Sequence, residues 1–248
     1  MSRIKIARIL AQNAINVISA VHINRFVKDI SPSYMDRLEW AKFVIRSGDD
    51  ADYPDALEIL EKSANNGNPE AQYYLGLMYA RGQGTKKNYD LARDYFTKSS
   101  EQGHLGSMYF LGKMCVRGYG LPPDPARAAE LFRKPSEAGD IRASYNLALL
   151  YLDGNGVERD FDESYRLMLK AANGGYREAQ FVMGQFYKTG VGCEKNINES
   201  VRWLSAAAAN GHRGAQILLG DMYSTGDGVP VDTAAADRWY NMTEGNFI

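Results

Sequence analysis

The residues that could do chemistry are few and scattered. There are three histidines, His22, His104 and His212, and two cysteines, Cys115 and Cys193. A covalent mechanism needs a nucleophile beside a base, and a zinc site needs closely spaced His and Cys ligands. No G-x-S-x-G, H-E-x-x-H, Walker or paired C-x-x-C motif brings such groups together. Five Gly-x-Gly pairs (Gly82/Gly84, Gly118/Gly120, Gly154/Gly156, Gly190/Gly192, Gly226/Gly228) invite a phosphate-loop reading. A dinucleotide loop requires G-x-G-x-x-G after a strand. These pairs follow predicted helices, lack the third glycine and recur at a fixed interval, so they read as turns. No catalytic residue, cofactor or metal ligand is expected, and the chain reads as a non-enzyme.

The same interval organises everything else. Gly67, Gly103, Gly139, Gly175 and Gly211 are spaced 36 residues apart, in phase with the Gly-x-Gly pairs and without a gap. A fixed period of this size marks a solenoid of stacked units. In the unit from Asn68 to Gly103, Ala71, Leu75, Met78 and Tyr79 have helical spacing, which predicts a first helix from about Pro69 to Ala80. Gly82 suits the left-handed residue that ends it. A second helix follows an Asn or Asp in every unit: Asn88, Asp124, Asp160, Asn196 and Asp232. These are N-cap residues, and Asp160 with Glu163 and Asn196 with Glu199 have capping-box spacing. Small residues recur where helices must approach closely: Ala71, Ala143, Ala179 and Ala215, and Gly76, Gly112, Gly184 and Gly220, with Ala148 in the third copy.

The fourth copy carries Ala179, Met183, Gly184, Tyr187, Gly190, Gly192, Asn196, Ser200, Trp203, Ala206, Ala207 and Gly211 in order. It resembles the SEL-one-like repeat family, a relative of the tetratricopeptide repeat. The resemblance covers Asn68 to about Met242. It implies an all-α fold, a right-handed α/α superhelical solenoid of 36-residue helix-turn-helix repeats, with first helices lining a concave surface. It further implies a scaffold or adaptor that holds a protein or peptide. Family members include bacterial scaffolds in signalling, envelope or exopolysaccharide assembly and eukaryotic adaptors in protein quality control. Some cysteine-rich members are reported to act on β-lactams; this chain lacks their paired cysteines. The family often places His where His104 and His212 stand, at the start of a first helix.

A net charge of −1 argues against a nucleic-acid binder. No apolar run is long enough to span a bilayer. Cys115 and Cys193 occupy different repeat positions, so no disulfide is expected, and a reducing, cytoplasmic setting suits them. The expected division is a basic amphipathic helix over 1–30, a degenerate repeat over 31–67, and one solenoid domain over 68–248. That domain has five units: 68–103, 104–139, 140–175, 176–211 and 212–248. Residues 1–28 carry Arg3, Lys5, Arg8, Arg25 and Lys28, with Ala7, Leu10, Ala14, Val17 and Val21 in a stripe. They suit a cap on the first repeat, a membrane-surface helix or a targeting segment. In the degenerate repeat Trp40 takes the place of the packing glycine and Asp52 that of the N-cap. The second copy departs most. Cys115 replaces a tyrosine, and Pro135 should kink or end its second helix. The last helix should reach about Met242, leaving an apolar end that is tolerated or used for dimerisation; the oligomeric state stays open.

Positions that vary between copies point to partners. In the first helix these are template positions 70, 74, 77 and 81, spaced as one continuous face. Copy by copy they give Tyr74, Leu77 and Arg81; Phe110, Lys113 and Arg117; Arg142, Asn146, Leu149 and Asp153; Glu178, Val182, Gln185 and Thr189; and Leu218, Asp221 and Thr225. The expected concave-face site is Tyr74, Leu77, Arg81, Phe110, Lys113, Arg117, Arg142, Asn146, Leu149, Val182 and Gln185. An apolar centre with a basic fringe fits a partner peptide that carries acidic side chains. Part of the stripe could instead pack between units, Tyr74 and Phe110 above all.

Overall fold

The computed structural model describes residues 37–48 and 50–243. The predicted helix over 1–30, with its cap, membrane-surface and targeting readings, lies outside them. The described residues form twelve α-helices, one short 3-10 turn and no strand. They are α1 (Arg37–Ser47), α2 (Tyr53–Asn65), α3 (Pro69–Arg81), α4 (Tyr89–Glu101), α5 (Leu105–Arg117), α6 (Pro125–Glu137), α7 (Ile141–Asp153), α8 (Phe161–Asn173), α9 (Arg177–Thr189), α10 (Ile197–Ala209), α11 (Arg213–Thr225) and α12 (Thr233–Thr243). The all-α helix-pair solenoid is the fold class read from the period. The described residues divide into two compact units, one ending at Tyr95 and the other starting at Phe96. In the first, α1 packs on α2 and α2 on α3; in the second, each helix from α5 to α12 packs on the next.

The helix ends follow the predicted chemistry. Gly82 ends α3 in the left-handed region at φ 73°, and Gly118, Gly154, Gly190 and Gly226 do the same for α5, α7, α9 and α11. Side-chain oxygens of Asp124, Asp160 and Asn196 accept from a first-turn N–H of α6, α8 and α10. Asn88 and Asp232 do so for α4 and α12. Asp52 makes no such bond at α2, so the degenerate repeat lacks its cap.

The capping boxes, however, are half-built. Glu163 and Glu199 accept from Arg166 and Arg202 one turn on, instead of reaching back to the cap. The reason is that the cap N–H already has a partner. Asp160 N donates to the Tyr151 carbonyl at 3.1 Å, and Asn196 N to the Tyr187 carbonyl at 2.8 Å. The same bond recurs from Asn88, Asp124 and Asp232, and it ties each second helix back to the first helix of its own unit.

Small side chains set the spacing between elements. Ser164 and Ser200 donate their hydroxyls to the carbonyls of Ala148 and Gly184, at 2.8 and 2.7 Å, across the α7/α8 and α9/α10 contacts. Gln180 and Gln216 donate to the carbonyls of Ala172 and Ala208, eight residues earlier, joining one repeat to the next. Ser144 and Ser136 take that role in the third copy by pairing their hydroxyls at 2.8 Å.

Pro135 does not end its helix. α6 runs on to Glu137 and keeps the thirteen residues of its counterparts. Pro135 lacks the N–H that would bond the Leu131 carbonyl and crowds that carbonyl, but only two helical residues follow it, and Ala138 N and Asp140 N still close on Lys134 O and Pro135 O. Ala171 and Ala207 fill the same place in later copies, so Pro135→Ala should fit and restore the missing donor. We expect a gain of about 1–2 kcal/mol, less than the interior cost of proline because the site lies in the last turn. Urea unfolding of the variant beside the parent checks it, and a lower midpoint would show that the ring's packing outweighs the bond.

Candidate functional site

The N-cap row of the first helices supplies the frame. Asn68, His104, Asp140 and His212 each accept a backbone N–H of the helix that follows, whereas Tyr176 makes no side-chain cap bond. The two repeat histidines are therefore structural, as their position suggested. His212 Nδ1 accepts from Ala215 N at 3.1 Å, and its ring stacks on Phe181 with centroids 4.3 Å apart. Burial, with Arg177 adding to it and Glu178 opposing, holds its pKa below the ordinary 6.5. Protonation of Nδ1 would also destroy the acceptor. A depressed folded-state pKa contributes stability that is present above 6.5 and lost as pH falls below it. Unfolding midpoints should drop over that window, and His212→Asn, which keeps a cap like Asn68, should remove the histidine part of the dependence.

In the unit that starts at Phe96, ring contacts and cations run along the first helices. Tyr109 on α5 lies under the Arg142 guanidinium, whose carbon is 4.6 Å from the ring centroid, and Lys113 is 5.7 Å away. Tyr145 on α7 meets Tyr176 edge-on at 5.0 Å. Burial pushes the Tyr109 phenol up to about 12, with the Arg142 charge opposing, so the hydroxyl stays a donor at neutral pH. Burial would raise Asp140, but hydrogen bonds from Arg142 and from the Ala143 and Arg142 N–H groups outweigh it and hold the carboxyl below its usual range. Asp140 in turn fixes Arg142 through Nη2 at 2.7 Å and Nε at 3.2 Å. Arg142 is thereby held in place while remaining exposed.

The predicted residues divide. Arg81, Lys113, Arg117, Arg142 and Gln185 are exposed, and Asn146, Leu149 and Val182 are half-buried. Tyr74 and Leu77 are only 5% exposed and belong to the core, which corrects their placement on a free face. The Tyr74 hydroxyl accepts from Arg46, whose guanidinium carbon lies 5.6 Å from its ring centroid. Phe110 is half-buried and stacks on Phe96 at 5.5 Å. The residues that do meet Arg142 and Tyr176 are one position earlier in the repeat, Tyr109 and Tyr145; Phe181 and Ile217, with Tyr73 in the first copy, share that position. Variation between copies hid it, because near-constant aromatic residues read as packing. The signal was present as an aromatic column lying between N-cap residues and basic positions.

Cys115 is buried and Cys193 half-buried, and neither is in a disulfide. Among the described residues no group of three His, Cys, Asp or Glu is placed to hold a metal ion. Nor is any described helix long and apolar enough to cross a membrane.

The Sel1 repeat family model matches residues 46–68, 69–104, 106–140, 141–176, 177–212 and 214–242. The chain belongs to the Sel1 repeat family. Among curated proteins no sequence matches it significantly. Solved structures do. An SLR-fold protective antigen of uropathogenic Escherichia coli, c5321, is 35% identical over 76% of this chain and 40% of its own, with a TM-score of 0.72. The chain thus spans under half the length of that relative. A Sel1 repeat protein from Oxalobacter formigenes is 27% identical over 86% of this chain and 83% of its own, with a TM-score of 0.78. The immunity protein PA5088 from Pseudomonas aeruginosa, 17% identical over 88% of this chain and 84% of its own, with a TM-score of 0.57, shares the fold. Sel1 repeat proteins are in general non-catalytic scaffolds for protein–protein interaction.

Proposed function

We propose that this Sel1 repeat protein is a non-catalytic scaffold. In this reading it holds a partner protein or peptide along the first-helix face of α5, α7 and α9, in a bacterial signalling or envelope-assembly setting. The observation that carries the reading is Arg142. It is exposed, yet fixed by Asp140 and laid on the Tyr109 ring. A guanidinium already ordered over an aromatic ring pairs with a carboxylate at little cost in side-chain entropy. Lys113 and Arg117, exposed one turn apart on α5, extend the basic character, and Tyr145, Leu149 and Phe181 supply half-buried apolar surface. An extended segment with acidic side chains toward α5 and α7 matches this distribution.

Affinity capture from a native extract tests the reading with two baits, the full chain and Lys113→Glu/Arg117→Glu/Arg142→Glu. Tyr74 is left alone because a charge in the core would unfold the protein. All three substituted positions are exposed, so circular dichroism should be unchanged. A partner retained only by the first bait, and released as salt is raised, supports the face; a partner held equally by both removes it.

A further inference from the structure

A second site lies outside the first-helix stripe. A cleft of about 210 Å³ opens between α6, α7 and α8. It is smaller than the roughly 300 Å³ at which small-molecule pockets begin, which suits a single residue better than a cofactor. Its apolar wall is Leu147, Leu167 and Tyr151, and its polar wall is made by Arg133, Ser136, Glu137, Glu163, Arg166 and Lys170.

Comparison with the next copy shows what the cleft could hold, although the second copy carries the same Leu and Lys pair, Leu131 and Lys134. At the counterpart of Leu167 the next copy has Trp203, and at that of Lys170 it has Ala206. Trp203 is 5% exposed and fills its site with an indole. In the third copy a leucine stands in the tryptophan's place and a lysine in the alanine's. Relative to the fourth copy, the exchange takes away the indole volume and puts an ammonium in the wall of the cleft.

The charges are not all consumed. Arg166 is engaged with both oxygens of Glu163, at 2.7 and 2.6 Å. Lys170 donates to the Ser136 carbonyl, which uses one of its three N–H groups. Arg133 has no side-chain hydrogen bond or ion pair among the described residues, and neither has Glu137 one turn on. Once Arg166 and Glu163 cancel, two cations face one carboxylate across an apolar wall.

We propose that this cleft binds the C-terminal carboxylate of a partner chain that ends in an apolar residue. The carboxylate is held by Arg133 and Lys170, the last side chain lies against Leu147, Leu167 and Tyr151, and Glu137 accepts the terminal amide N–H. The site is separate from the first-helix face and stands or falls without it.

The experiment uses the full chain and three probes: N-acetyl-leucine, N-acetyl-leucinamide and the α-amide of N-acetyl-glutamate. Amide NMR shifts around Tyr151 and Lys170 should saturate with N-acetyl-leucine and respond at least about tenfold more weakly to the leucinamide, which lacks the charge. Leu167→Trp should fold, since Trp203 occupies the same place with its own Nε1 unpartnered, and should lose the response by filling the cleft. Lys170→Ala, copying Ala206, should weaken it. Three results would overturn the proposal: no saturable response to N-acetyl-leucine, equal response to acid and amide, or an unchanged response in both variants. Tighter binding of the glutamate amide would overturn the terminal assignment and make an internal acidic side chain the occupant.

Discussion

Gly156→Ala is expected to be among the most damaging single-methyl additions in the chain, lowering stability by about 2–4 kcal/mol. Two costs coincide. Gly156 sits at φ 76°, where an L-residue is strained by about 1–2 kcal/mol. A Cβ there would also stand 2.3 Å from Ala126 N and 2.3 Å from Pro125 C, the backbone that opens α6. No rotamer change can clear backbone atoms, so the loop or the helix must move, as in an overpacked core. The contact recurs in three other copies. Gly84, Gly192 and Gly228 meet Tyr53, Phe161 and Ile197, which like Pro125 are the first residues of second helices one repeat earlier. Gly175→Ala separates the two costs, because Gly175 has φ 86° but a Cβ added to it would meet nothing within 4 Å. It should lose only the strain, about 1–2 kcal/mol. Thermal melts of both variants measure the difference, and equal losses would show that the close approach at Gly156 carries no weight.

Gly184→Leu should cost about 1–3 kcal/mol, and even Gly184→Ala should be felt. A Cβ at 184 would lie 2.6 Å from Leu204 Cγ and 2.7 Å from Cδ2, where α9 crosses α10. Gly112 meets Phe132 and Gly220 meets Tyr240 in the same way, at 2.7 and 2.4 Å. The third copy alone has alanine here, Ala148, and its partner position holds the unbranched Met168. Methionine adapts its three rotatable bonds to the extra methyl, whereas Leu204 branches at the atom that would collide. Leu204→Met should therefore recover most of the loss of Gly184→Ala, reproducing the third-copy pair. Denaturant midpoints of the two single variants and the double variant give the coupling directly. Additive losses would mean that the pair is not what sets the α9/α10 distance.

The period, the helix pairs, the glycine C-caps and the Asn/Asp N-caps were legible because each depends on residues a few positions apart. Glycine at Gly82 and aspartate at Asp160 act within their own turn, so their type and spacing suffice. The capping boxes misled because Glu163 can satisfy a local rule only if the Asp160 N–H is free, and that N–H is taken by Tyr151 of the preceding helix. Pro135 misled in the opposite direction. Rules for proline describe helix interiors, and its place in the last turn of a packed helix left a single bond to lose.

The site shows the same division. Lys113, Arg117 and Arg142 are exposed, as charged residues on a helix surface are expected to be. Tyr74 and Leu77 were assigned to a free face on variation between copies, yet Tyr74 is buried against Arg46, twenty-eight residues earlier. The Tyr109–Arg142 contact joins different repeats, and the cleft depends on Leu167 and Lys170 being measured against the volume of Trp203. By itself the sequence determined the repeat, the ends of its helices and the sign of its exposed charges, since these follow from backbone conformation and neighbours in the chain. Tertiary structure alone decided which varied positions are buried, which cation is held over a ring and where an unfilled volume remains, since burial and volume depend on side chains brought together from separate helices.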